Sequence, residues 1–130
     1  MTTSLRIPGT ALLAAAMLFG VSIRTAHAAD ASAGGDVYDE ECSECHSVKP
    51  AKNKKGPTLF AVVGRRAGTV GGYVYSNPMR ASGIVWTPDK LQAHIRSPKT
   101  AVPGGKMKYD GSKLSAGDMA DLIAFLSTNR

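Results

Sequence analysis

Between Ala11 and Ile23 nearly every position is apolar or small, with Leu12, Leu13, Met17, Leu18, Phe19 and Val21 in the run. Such a stretch is too short to span a bilayer comfortably as a permanent helix. Farther along, apolar side chains recur at helical spacing. Val37, Tyr38, Glu41, Cys42 and Cys45 share one face, which predicts a helix from Gly34 to about His46. Asp36, Asp39, Glu40 and Glu41 would crowd its front and complement the helix dipole. After Gly56-Pro57, residues Thr58 to Val63 suit one short helical turn. Asn77-Pro78 predicts a helix start with Asn77 as cap and Pro78 at the first helical position. Thr87-Pro88 repeats that signal for a helix through Leu91, His94 and Ile95, stopped before Pro98. Ser115 and Asp118 form a capping-box-like pair for a last helix to Thr128, with Met119, Leu122, Ile123 and Leu126 on one stripe. Ala67 to Tyr75 is ambiguous between loop and short strand. The pattern predicts an all-α domain with long loops.

The N-terminal run changes the domain reading. Arg6 is the only charge before it, and Ala26-His27-Ala28 offers small residues at the two positions a signal peptidase reads. Residues 1–28 therefore read as a signal peptide cleaved near Ala28, rather than an uncleaved anchor, and residues 29–130 as one domain. This predicts export, and His27 would leave with the leader. The formal net charge of +6 falls by two when Arg6 and Arg24 are removed.

The exported part has a thin core. Residues 29–130 hold 16 Val, Ile or Leu and two Phe, diluted by 12 Gly. That share is near the level below which a chain struggles to fold unaided. Small domains with so little apolar surface usually need a staple. Two cysteines make at most one disulfide, so a bulky apolar cofactor is the better candidate.

Cys42-Ser43-Glu44-Cys45-His46 suggests which one. Both cysteines of the chain lie in this pentad, and C-x-x-C-H is the pattern of covalent c-type haem attachment. Cysteines three apart on a helix lie on one face, so both sulfurs can reach one porphyrin edge, and His46 can offer an imidazole nitrogen to iron. A plain Cys42–Cys45 disulfide remains open, as does a thiol–disulfide redox motif, although the latter usually needs a βαβ setting. Zinc is poorer, because His94 is the only other imidazole after residue 28. The candidates for a sixth iron ligand are Met79, Met107, Met119 and His94. Met119 belongs to the apolar stripe, whereas Met107 sits in Val102-Pro103-Gly104-Gly105-Lys106-Met107, a loop able to approach a flat ligand closely.

Taken together, these segments resemble a class I cytochrome c of the mitochondrial type and its bacterial relatives. The resemblance runs through the C-x-x-C-H pentad, Gly56-Pro57-Thr58-Leu59, Gly64-Arg65-Arg66, Tyr73-Val74-Tyr75-Ser76, Trp86, the Met107 loop and Ala120-Asp121-Leu122-Ile123-Ala124-Phe125-Leu126, in the family's order. It implies one haem c held by thioethers from Cys42 and Cys45, with His46 and Met107 as axial iron ligands. Pro57 would accept a hydrogen bond from the other nitrogen of His46. Arg65, Tyr75 and Trp86 match positions that address the haem propionates. Gly34, Tyr38, Leu122 and Phe125 match the contact between first and last helices, packed across each other.

Three departures lie on the methionine side. Gly105 stands where the mitochondrial type has Thr, His94 where the family usually has a tyrosine bonded to the methionine sulfur, and Met79 where it often has asparagine. His94 reads as a packed core histidine rather than a rival ligand. The departures bear on the redox potential and on the strength of the iron–sulfur bond.

Function follows as an expectation. Two protein ligands on iron leave no open position, so the resemblance implies an electron carrier and not an enzyme. A soluble periplasmic monomer would shuttle electrons from a quinol-oxidising complex to an oxidase or photosynthetic centre. A dedicated haem subunit or acceptor for one exported dehydrogenase is the alternative. Basic clusters at Lys49, Lys52, Lys54 and Lys55 and around Met107 would flank the haem edge and meet acidic docking surfaces of membrane redox complexes, with the acidic stretch from Asp30 to Glu44 lying away from that edge. Nucleic acid and a permanent membrane anchor are not expected.

Overall fold

The computed structural model describes Met1 and residues 28–130, so the expected signal peptide falls almost wholly outside the described residues. Five helices and one 3-10 turn follow, and among the described residues there is no strand, only an isolated bridge between Arg66 and Val85. The all-α class is as expected, and the Ala67 to Tyr75 segment is loop.

Helix α1, Ala31–Glu41, begins earlier than the periodicity suggests. The Asp30 carboxylate accepts from the Ser32 and Ala33 amides, while its own N–H donates to Asp121 Oδ1 across 2.7 Å. The first turn holds no acidic residue. Asp36 to Glu41 occupy the middle and end of the helix, so they do not complement its dipole; Asp30 supplies the negative charge at that end.

Helix α2, Asn77–Ala81, is capped by Ser76, whose hydroxyl accepts from the Met79 N–H, and not by Asn77. Helix α3, Pro88–Arg96, is capped by Thr87 as expected. Past Ser97 the chain adds a single turn, α4, Pro98–Ala101. The 3-10 turn spans Gly111–Lys113. Helix α5, Ala116–Thr128, starts on Ser115, which accepts from the Asp118 N–H at 3.0 Å and donates to its carboxylate at 2.7 Å.

Thr58 to Val63 forms no helix. The carbonyls of Thr58 and Phe60 are taken by the Arg65 guanidinium, each across 2.8 Å, and Ala61 adopts φ +51. A helical turn would need those carbonyls and a right-handed backbone.

Helices α1 and α5 cross with their backbones in contact. A Cβ at Gly34 would lie 1.9 Å from the Asp121 carbonyl oxygen, so only glycine permits this approach. Tyr38 and Phe125 stack beside the crossing with ring centroids 5.4 Å apart. Met119, Leu122 and Leu126 are fully buried, and with Val62, Trp86, Leu91 and Ile95 they make the core. This core borders a cavity.

Candidate functional site

Beyond Glu41 the chain makes one further helical turn, in which the Cys45 and His46 amides both donate to the Cys42 carbonyl. The cysteines thus sit in a turn after α1 rather than on the helix itself, yet the turn keeps both beside one cavity. No disulfide joins them. Burial, then the neighbouring charges of Glu41 and Cys45, push the Cys42 thiol up to about 11. That is the reverse of the low value a thiol–disulfide redox cysteine needs, and among the described residues there is no βαβ unit.

The loop from Ser47 to Leu59 folds back on this turn. Gly56 N–H donates to the Cys45 carbonyl and Leu59 N–H to that of Ser47, both at 2.7 Å. Thr58 Oγ1 donates to Lys49 O, and the Asn53 carboxamide oxygen accepts from the Thr58 N–H. The loop brings Pro57 O to 2.8 Å from His46 Nδ1. A carbonyl only accepts, so Nδ1 carries the proton and Nε2 keeps its lone pair. Burial holds the His46 pKa below its ordinary value, against the opposing pull of the Pro57 contact. A neutral imidazole with a free Nε2 is the form that binds a metal. Gly56 leaves the ring its space, since a Cβ there would lie 2.3 Å from His46 Cε1. The Tyr38 hydroxyl completes the support by donating to the His46 carbonyl at 2.7 Å.

The cavity has a volume of about 620 Å³, in the range of cofactor pockets. Cys42, Cys45, His46 and Pro57 line it, as do Arg65, Tyr75 and Trp86. Met107 also lines it, from a loop turned by the Gly105 N–H bond to Val102 O and by Gly104 at φ +80. Lys106 Nζ donates to Val74 O at 2.6 Å and closes that loop over the Tyr73–Tyr75 segment. Met79 and His94 reach the cavity too, whereas Met119 is sealed in the core at 1 % exposure. Among the described residues no group of three or more His, Cys, Asp or Glu is placed to hold a metal ion alone, which removes support for zinc.

The model of the cytochrome c family matches residues 31–130. Cytochrome c2 of Blastochloris viridis is 41% identical over 110 residues, covering 84% of this chain and 85% of that protein. Cytochrome c2 iso-2 of Magnetospirillum molischianum is 41% identical over 100 residues, 77% of this chain and 98% of the relative. Among solved structures, cytochrome cH from Methylobacterium extorquens superposes with a TM-score of 0.68 at 39% identity, over 76% of this chain and 98% of its own. The chain belongs to the cytochrome c family. It is a monohaem c-type electron carrier with one covalently attached haem c, not an enzyme.

This cytochrome's own side chains fit that group. The pocket joins two thiols, a neutral imidazole and a thioether to apolar walls. His94, 7 % exposed and packed 5.0 Å from the Trp86 ring, has a buried Nδ1 with no hydrogen-bond partner among the described residues. Such a cost is tolerable when the wall is shared with a bound group. Tyr75 keeps its hydroxyl proton free, because its oxygen accepts from the Val70 N–H at 3.2 Å. Arg65 spends two donors on the Thr58 and Phe60 carbonyls, so its first task is to brace the segment after Pro57; its other donors remain.

Two findings go beyond the sequence reading. The acidic stretch does not lie wholly away from the cavity. Glu41 lines it and pairs with Lys113 at 2.6 Å, and Glu44 pairs with Lys55. These carboxylates neutralise part of the expected basic rim. Tyr109, which the motifs did not single out, also lines the cavity and donates to Glu41 Oε2 at 2.8 Å. No local pattern announces a bond between residues 68 positions apart.

Proposed function

We propose that Cys42 and Cys45 carry the haem through thioether bonds, that His46 Nε2 and the Met107 sulfur are the axial ligands, and that Pro57, Arg65, Tyr75 and Trp86 steady the ring of His46 and the propionates. The observation that carries this reading is the His46 arrangement: Nδ1 fixed on Pro57 O, a glycine making room for the ring, and the imidazole bordering the cavity that both cysteines line. When bound, the haem supplies a one-electron couple whose potential a Met/His pair raises. The protein's part is to hold both ligands still, to keep water from the iron with the Trp86, Leu91 and Ile95 wall, and to leave the cysteine edge near the surface, where Cys45 is exposed.

The carrier works in the periplasm after cleavage of residues 1–28, as a soluble monomer without a permanent membrane anchor, moving electrons from a quinol-oxidising complex to an oxidase or photosynthetic centre. The leader in residues 1–28 supports export, and the family match beginning at residue 31 leaves that leader outside the domain. Among the described residues no helix is long and apolar enough to cross a membrane. Lys106 and Lys108 border the cavity without a carboxylate partner among the described residues, which suits an acidic docking surface.

The test is the visible spectrum of purified protein from periplasmic extract, native and as the denatured pyridine complex. Two saturated thioethers and a low-spin spectrum are expected; an unsaturated vinyl or a high-spin ferrous spectrum would contradict the ligand set. Electron transfer to an acidic partner should slow as salt rises, because screening shortens to about 10 Å near 0.1 M. Lys106→Glu should slow it more than Lys55→Glu, since Lys55 already faces Glu44.

A further inference from the structure

We infer that Glu41 is a positioning residue for the loop that carries Met107, fastening it through Tyr109 and Lys113 to the last turn of α1. The inference rests on Met107 as the iron ligand. Tyr109 follows Met107 by two residues, and its hydroxyl donates to Glu41 Oε2 at 2.8 Å. Lys113 Nζ lies 2.6 Å from the same oxygen and 5.5 Å from the centre of the Tyr109 ring. The three side chains close on one another, and Glu41 immediately precedes Cys42. One carboxylate therefore ties the chain on the Met107 side of the cavity to the end of α1, immediately before the turn that bears the attachment cysteines.

The two contacts are unequal. Lys113 is 56 % exposed at its side chain, so its attraction is screened and contributes little. Glu41 is 23 % exposed and its bond to Tyr109 is partly buried, where a charge-assisted hydrogen bond is strongest. Before Met107, the loop is held by Gly105 N–H on Val102 O and by Lys106 on Val74 O. After it, the Gly111–Lys113 turn is anchored on α3: a Cβ at Gly111 would lie 2.2 Å from Ile95 O, and Arg96 Nη1 donates to Gly111 O at 3.0 Å. Between these anchors Tyr109 is the side chain that reaches another element by a hydrogen bond. Its loss frees the middle of the loop without disturbing either end.

An exogenous ligand reaches the iron only when Met107 has left, so the apparent affinity of ferric holoprotein for imidazole reports how often the loop opens. Tyr109→Phe keeps the ring and removes one hydroxyl. It should tighten apparent imidazole binding about tenfold, and Glu41→Leu, which leaves Tyr109 no oxygen to donate to, should do about the same. The double variant should gain no more than either single, because one bond is lost in all three. Lys113→Met should change binding about twofold or less. Leu122→Val, a destabilising change at the α1–α5 crossing, should leave it unaltered. Unchanged affinity in Tyr109→Phe and Glu41→Leu, additive gains in the double variant, or an equal gain from Leu122→Val would each overturn the inference. Met107→Leu separates the two levels: it should bind imidazole far more tightly than the parent, and parental affinity there would overturn the ligand assignment instead.

Discussion

On the His46 wall of the cavity the backbone does most of the holding, with the Tyr38, Asn53 and Thr58 side chains in support. Pro57 O fixes Nδ1 at 2.8 Å, Gly56 clears room for the ring, and the loop between Ser47 and Leu59 is closed by main-chain bonds to residues 45 and 47. On the Met107 wall the holding is done by side chains from distant elements: Lys106 on Val74 O, and Tyr109 on Glu41. His94, which also lines the cavity, has a buried nitrogen without a partner among the described residues. Backbone contacts survive most substitutions, whereas a side-chain contact is lost with one residue. The first wall is therefore set to resist substitution and the second to respond to it.

The largest effect should come from removing what joins the walls. Cys42→Ala with Cys45→Ala should abolish holoprotein and leave a chain with little helicity, because the thin core then lacks the burial to offset chain entropy. Circular dichroism of the double variant checks this, and full native helicity without haem would break the account. Next is a glycine on each wall. Gly56→Ala drives a Cβ into the His46 ring and should cost about 3 kcal/mol or prevent assembly. At Gly105 the nearest atom would be Val102 O at 3.0 Å, so Gly105→Ala should cost about 1 kcal/mol or less. Denaturant midpoints of the two holoproteins read the difference, and equal costs would erase the asymmetry.

Smaller effects concern redox tuning. Met107→His should keep six ligands and lower the potential by at least about 59 mV, a tenfold shift toward ferric iron. His94→Tyr puts a hydroxyl donor on the cavity wall and should shift the potential by less than that, with a stronger iron–sulfur bond. Potentiometric titration follows both. No shift in His94→Tyr would reduce His94 to packing, while a shift larger than that of Met107→His would invert the order of the two residues.

What could be read from the sequence was local. The C-x-x-C-H pentad, the Thr87 cap and the Ser115–Asp118 pair each depend on residues within five positions, so composition and spacing suffice to find them. The start of α1 was missed because Asp30 is held partly by Asp121, at the other end of the chain. The short helix expected after Pro57 failed because Arg65 takes the carbonyls it needed. Glu41, Tyr109 and Lys113 read separately as an acidic run, an aromatic and a basic cluster; only the crossing of the chain joins them. The His46 side was legible for the same reason that it is rigid, since it is built from near neighbours.

The most direct test of the asymmetry is to add imidazole to ferric holoprotein with methyl-labelled methionine and follow both walls by NMR. The account predicts that the hyperfine-shifted methyl signal of Met107 disappears as imidazole binds, while the shifted His46 signals persist. Loss of the His46 signals with Met107 retained, or a shifted methyl that belongs to Met79, would contradict it.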